Sequence, residues 1–298
     1  MNDSRDAQNQ IPFGCAERGL RSYPLKKQFA LLHESGVRSL EIGLGTEHLG
    51  HLAPRPTEDE FESLEALCNE YAIQTPYVAL EENLTTEEST DSEARLATLI
   101  DQFQTASRIG ATTINLRVTD LPTIDVNETI WEHFTHRLDR LSKAAQELDL
   151  TIALMTQGLV ETESADGLFM IETIMTHRPA LSRLAETLPP NLGFGYEPAM
   201  FKAVNPSDLR YGSDIVAPRT QLCILQEWAP SQRMISPQLT GADDLDFGSI
   251  LSRLSPDTPL LLAIPESMEP SKAITHAGRY IDRVKSTRNV AVAETAAP

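Results

Sequence analysis

Cysteine is scarce in this chain, with three among 298 residues. Cys15, Cys68 and Cys223 stand far apart and show no CxxC spacing, so they read as small buried hydrophobes and not as a disulfide framework. Basic residues are in deficit too: 25 Lys and Arg against 43 Asp and Glu leave a net charge of −18. That balance disfavours nucleic acid and anionic membrane as partners, because both are gripped through Lys and Arg. No apolar run approaches the roughly eighteen residues that a membrane span needs. Met1–Gln10 is polar and lacks the apolar stretch of a secretory signal, so the expected location is the cytoplasm. No GxGxxG or P-loop pattern occurs, and Gly43-Leu44-Gly45 is too little to mark a phosphate turn. No GxSxG is present and Cys15 has no evident base beside it, so nucleophilic catalysis has no support.

What the chain does have is alternation. Short apolar runs at Ile11–Glu17, Val37–Gly45, Ile73–Glu81, Thr112–Val118, Thr151–Gln157, Asn191–Glu197, Gln221–Trp228 and Pro259–Pro265 read as strands. Amphipathic stretches separate them. Phe61, Leu64, Leu67 and Tyr71 share one helical face, and Thr57 with Glu60 forms a capping box ahead of it. Leu96, Leu99, Phe103 and Ala106 mark a second such face, stopped at Gly110. Ile274, Ala277, Ile281 and Val284 mark the closing helix. Eight strand signals, each followed by a helix or helix-like link, imply a parallel sheet, and the count of eight favours closure into a single (β/α)8 barrel. The expected layout is a flexible 1–10, a barrel over 11–286 and a flexible tail from 287 to 298. Glu81–Ser92 and Gln157–Leu168 read as acidic loops on the rim where barrel active sites lie.

Several segments resemble the xylose-isomerase-like barrels, the sugar isomerases, sugar-phosphate epimerases and related lyases. LLHESGVRSLEIG (31–43) is similar to that family's first helix, turn and second strand. RLATLIDQFQTASRIGATTINL (95–116), LGFGYEPAMF (192–201), LTGADDLDFGSILSRL (239–254) and PLLLAIPESMEPSKAITHAGRYIDRV (259–284) follow in the family's order. The resemblance implies a divalent metal, Mn, Mg, Co or Zn, held by a Glu, an Asp, a His and a Glu after the fifth to eighth strands. Two of those carboxylates would also shuttle a proton.

Position by position, the ligand set is depleted. The family's pattern puts Met155 at the first Glu, Glu197 at the Asp, Ile224 at the His and Ala263 at the last Glu. Gln157 and Met200 stand where the family often carries His or Asn. Glu197 survives as a carboxylate, and Glu227 and Glu266 are further candidates, so the metal set to test is Glu197, Glu227 and Glu266, with Glu197 and Glu227 as catalytic candidates. None of the seven His falls at the end of strands five to eight; His48 and His51, in the loop after the second strand, could reach the mouth but read first as surface loop residues.

Polar groups cluster at strand ends: Glu17, Glu41, Tyr77, Glu81, Arg117, Gln157, Glu197, Gln226 and Glu227. Arg117, Gln157, Tyr77, Gln226 and Trp228 are the substrate-binding candidates. The Arg fork suits a carboxylate or phosphate, or else an ion pair with Glu81, Glu197 or Asp120, and the indole of Trp228 suits a sugar ring or rim packing. Two functions stay open. One is a barrel whose polar pocket takes a small sugar, polyol or sugar phosphate without catalysis, alone, as a homo-oligomer or beside an active relative. The other is a working isomerase or epimerase with a reorganised metal site or metal-free carboxylates. Endonuclease chemistry on the same barrel would need a His-rich zinc cluster and a basic face, which this sequence lacks.

Overall fold

The period of two in the strand segments sends alternate side chains inward and outward, and the outward set must be covered by helices. In the computed structural model, which describes residues 13–45, 50–118, 121–164, 167–229, 234–236, 245–264 and 269–295 (with 160–164, 167–169, 227–229, 234–236 and 285–295 as backbone only), that requirement is met by a closed barrel. The strands in chain order are β1 (Gly14–Ala16), β2 (Ser39–Gly43), β3 (Gln74–Glu81), β4 (Thr113–Arg117), β5 (Thr151–Met155), β6 (Leu159–Ser164), β7 (Gly167–Ile171), β8 (Leu192–Tyr196), β9 (Thr220–Leu225), β10 (Glu227–Ala229), β11 (Met234–Ser236) and β12 (Leu260–Leu262). Eight of them close in the ring order β1-β12-β9-β8-β5-β4-β3-β2. All eight neighbours pair in parallel, with Cys15 opposite Leu40 and Gly14 opposite Leu261 at the seam. The fold is therefore an eight-stranded parallel (β/α) barrel.

Outward residues such as Val78, Leu80, Ile114, Leu116, Ile152, Leu154 and Phe194 are buried under the helices. The helices are α1 (Leu25–Glu34), α2 (Glu58–Tyr71), α3 (Thr90–Arg108), α4 (Glu128–Gln146), α5 (Arg178–Thr187), α6 (Pro198–Val204), α7 (Ser213–Val216), α8 (Phe247–Arg253) and α9 (Pro270–Thr295). Phe103 of α3 and Phe134 of α4 are fully buried against the sheet. Truncating either to Ala removes a transfer term and leaves a cavity, together about 3–5 kcal/mol. The capping box forms as the sequence implies, with Glu60 N donating to Thr57 Oγ1 at 3.3 Å and Thr57 N donating to Glu60 Oε2 at 2.7 Å. Gly110 takes φ +85° directly after α3, a left-handed turn that a Cβ would strain.

Three expectations shift. Gln157–Leu168 is not a plain loop: Leu159–Ser164 and Gly167–Ile171 pair as an antiparallel hairpin beyond β5. The seventh strand ends at Leu225, and Glu227–Ala229 turns into a second hairpin, with Trp228 opposite Ile235. The backbone of the closing helix α9 continues to Thr295, into the stretch read as a tail from 287. Residues 1–10 lie outside the described set. The acidic stretch after β3 is pinned from outside the barrel, where Arg137 donates to the carbonyls of Leu84 and Thr86, each at 2.7 Å. Among the described residues no helix is long and apolar enough to cross a membrane.

Candidate functional site

Follow the inward positions two by two and they climb each strand into one cavity at the C-terminal mouth. Ala16 then Arg18, Ala79 then Glu81, Asn115 then Arg117, Ile224 then Gln226, and Leu261 then Ala263 all line it. Glu41, Met155, Gln157, Glu197 and Met200 complete the wall, with Arg21 at its edge. The volume is about 440 Å³, room for a small polar molecule.

Two carboxylates dominate the interior. Glu41 on β2 is 4 % exposed and Glu197, directly after β8, is 5 % exposed. β2 and β8 stand four places apart in the ring of eight, so the two glutamates come from opposite walls. Burial strips each carboxylate of solvent and pushes its pKa up to about 7. At Glu41 the Asn115 hydrogen bond and Arg18 oppose that rise while Glu17 adds to it. At Glu197 Arg18 and Arg117 oppose it and Glu41 adds to it.

The remaining polar groups are arranged around these two. Asn115 Nδ2 donates to Glu41 Oε1 at 2.7 Å. Its Oδ1 is buried with no partner, as is Gln157 Oε1. Asn115 has room because residue 195 is glycine, since a Cβ there would lie 2.7 Å from Asn115 Oδ1. The backbone of Glu197 is fixed by its N–H, which donates to Thr156 Oγ1 at 2.8 Å. Among the described residues, nothing hydrogen-bonds its carboxylate. Arg117 makes its ion pair with Glu81, Nη1 to Oε1 at 3.1 Å, and not with Glu197.

Of the sequence-derived site residues, Glu197, Arg117, Gln157 and Gln226 meet in the cavity. Tyr77 does not line it; Tyr77 packs within the barrel against Ala153, Leu222 and Leu261. Glu227 and Trp228 are placed by backbone on the β10–β11 hairpin, and Glu266 and His48 lie outside the described residues. Glu17 is used structurally: its carboxylate accepts from Gly43 N at 2.9 Å and His51 N at 3.0 Å, and its Oε1 sits 2.6 Å from His51 Nδ1. His51 is thus a latch on the loop after β2 and not a bystander. Sequence reasoning missed Arg18 and Asn115, and it saw Glu41 only as one strand-end polar group among many. The two-residue step back from Arg117 was the signal for Asn115. Arg18 had none, because it lies in a 3-10 turn (Glu17–Gly19).

No family model matches the sequence, and no curated protein matches it. Solved structures do match. A D-tagatose 3-epimerase-like protein superposes with a TM-score of 0.69 at 13% identity, covering 93% of this chain and 99% of that one. The IolI protein solved with a zinc atom gives 0.67 at 15%, covering 93% and 99%. The probable 3-DHS dehydratase AsbF from Bacillus anthracis gives 0.67 at 11%, covering 91% and 99%. The chain shares the TIM-barrel fold of these structures.

In such a barrel the question is whether these residues fit a divalent metal. The four positions assigned by the resemblance, Met155, Glu197, Ile224 and Ala263, all face the one cavity. A thioether and two hydrocarbons offer a hard cation nothing, which leaves one carboxylate. Among the described residues, no group of three or more His, Cys, Asp or Glu is placed to hold a metal ion. The described donor set does not fit the metal that the xylose-isomerase-like resemblance implies.

Proposed function

We propose that the cavity binds a small polyhydroxylated, sugar-like molecule and that it does so without a divalent metal. The observation that carries this is the pair of orphaned acceptors, Asn115 Oδ1 and Gln157 Oε1, buried in the wall of a cavity that also holds Glu197. An unpaired buried polar atom costs about 1–3 kcal/mol, and a turn of either amide toward the cavity would let a hydroxyl donor of a bound ligand remove that cost. Sugar-processing neighbours support the ligand class. Arg117, Gln157 and Gln226 are the binding residues of this reading, with Trp228 kept as a further candidate. Glu227 and Glu266 are where a reorganised metal site would have to find its missing ligands.

A second reading, carboxylate proton transfer without metal, is favoured by one observation. Glu41 and Glu197 both have pKa values raised to about 7, so near neutrality each can give or take a proton. The neighbours include two sugar 3-epimerases and a sugar phosphate isomerase/epimerase, which supports this reading as an isomerase or epimerase.

The test is a thermal-shift and calorimetric screen of neutral sugars, polyols and sugar phosphates, run with EDTA and again with Mn, Mg, Co or Zn, on wild type and Gln157→Ala. Binding in EDTA that is lost in the variant is the expected result. Binding that appears only with metal would overturn it. Incubating each hit in D2O and following carbon-bound hydrogen by NMR separates the two readings: exchange marks proton transfer, and its absence marks a binder.

A further inference from the structure

The lining of the cavity is unbalanced in a way that bears on the charge of what it holds. Its interior is rich in acceptors: the carboxylates of Glu41 and Glu197, Asn115 Oδ1 and Gln157 Oε1. Among the described residues, only Glu41 of these accepts a hydrogen bond, from the Asn115 amide at 2.7 Å. Among the described residues neither glutamate has a cation within ion-pair distance. Three of the described arginines line the cavity, Arg18, Arg21 and Arg117; Arg117 pairs with Glu81, Arg18 is exposed and acts on both glutamates through space, and none of the three makes an ion pair with either glutamate. Asn115 Nδ2 lies on Glu41, and its Oδ1 occupies the space that a side chain at Gly195 would fill.

A buried carboxylate without a cation is a costly arrangement, and it becomes favourable when a charged donor arrives. A hydroxyl brings one donor and no charge, whereas an ammonium brings three donors and a full charge. The net charge of −18 also draws cations toward the protein. We propose that the ligand of this cavity carries a protonated amine, an amino-substituted polyol seated with its ammonium against Glu197 and the free amide oxygens of Asn115 and Gln157. The proposal rests on the reading that the cavity takes a polyhydroxylated molecule, and it narrows the class.

The experiment uses matched probes that differ only in the amine: Tris against pentaerythritol, and glucosamine against glucose. Each is titrated calorimetrically into the full chain in phosphate buffer with EDTA, slightly above neutral pH. Charge-assisted hydrogen bonds contribute about 1.5–3 kcal/mol, so the amine of each pair should bind about tenfold to a hundredfold more tightly. Glu197→Gln keeps the shape and removes the charge, and it should bring the amine of each pair down to the affinity of its neutral partner. Glu41→Gln serves as the second variant should the first fail to fold. Equal affinities within both pairs, or a margin that survives in both variants, overturn the proposal. If neutral sugars bind and no amine does, the amine is wrong and the cavity reading stands. If nothing binds, the cavity reading falls as well.

Discussion

Glu197→Gln should make the protein more stable, and by an amount that depends on pH. In the folded chain the Glu197 carboxyl is raised from the ordinary 4.5 to about 7, chiefly by burial. A folded pKa above the unfolded one means that the native state holds its proton more tightly. The contribution of the protonated group is thus fully present below pH 4.5 and is lost as pH climbs through about 7. Over that window wild type loses roughly 3 kcal/mol from this one group, at about 1.4 kcal/mol per pKa unit. Glutamine mimics the protonated carboxyl and does not titrate. The variant should match wild type near pH 4, lead it by under about 1 kcal/mol at pH 5 and lead by roughly 2–3 kcal/mol at pH 8. The groups that set the shift, Arg18, Arg117 and Glu41, stay in place in the variant. Urea unfolding followed by circular dichroism, repeated at these pH values, reads the difference directly. A gain that is flat with pH, or a loss at pH 8, would refute the claim that Glu197 is desolvated in the cavity.

Gly195→Ala places a Cβ 2.7 Å from Asn115 Oδ1, so it should cost about 1–3 kcal/mol and raise the Glu41 pKa further as the Asn115 bond is displaced, both measurable by denaturation and carboxyl NMR titration. Arg117→Ala removes the 3.1 Å ion pair with Glu81, a partly exposed pair worth about 1 kcal/mol, and should move the Glu197 titration upward because Arg117 helps to hold it down; an unmoved titration would contradict the assigned electrostatics. His51→Ala should destabilise more at pH 6 than at pH 9. The Glu17 contact raises the His51 pKa, so its contribution is present below the imidazole's ordinary range and disappears as pH rises through the raised value, and equal losses at both pH values would count against the latch.

The barrel was legible in the sequence because its causes are local and periodic. Outward residues such as Ile114, Leu116, Ile152 and Leu154 repeat every second position, and helix faces such as Leu96, Leu99 and Phe103 repeat at helical spacing. Eight such units can close only in parallel. At the positions that the resemblance assigns to metal ligands, Met155, Ile224 and Ala263 offer a hard cation neither an oxygen nor an imidazole, and that much is read from the sequence. The tertiary structure decided which polar groups meet. Sequence alone left Glu81 and Glu197 both open to Arg117, and the register that sets Glu81 opposite Arg117 brings that pair together, while Asp120 lies outside the described residues. Tyr77 and Glu81 lie on the same face of the same strand, yet four residues of height put one inside the packed interior and the other at the cavity. Asn115 reads as an ordinary strand residue until Gly195, eighty positions later, makes space for it. The opposition of Glu41 and Glu197 is a property of the closed ring alone, because nothing local to either residue encodes which strand will face it across the barrel.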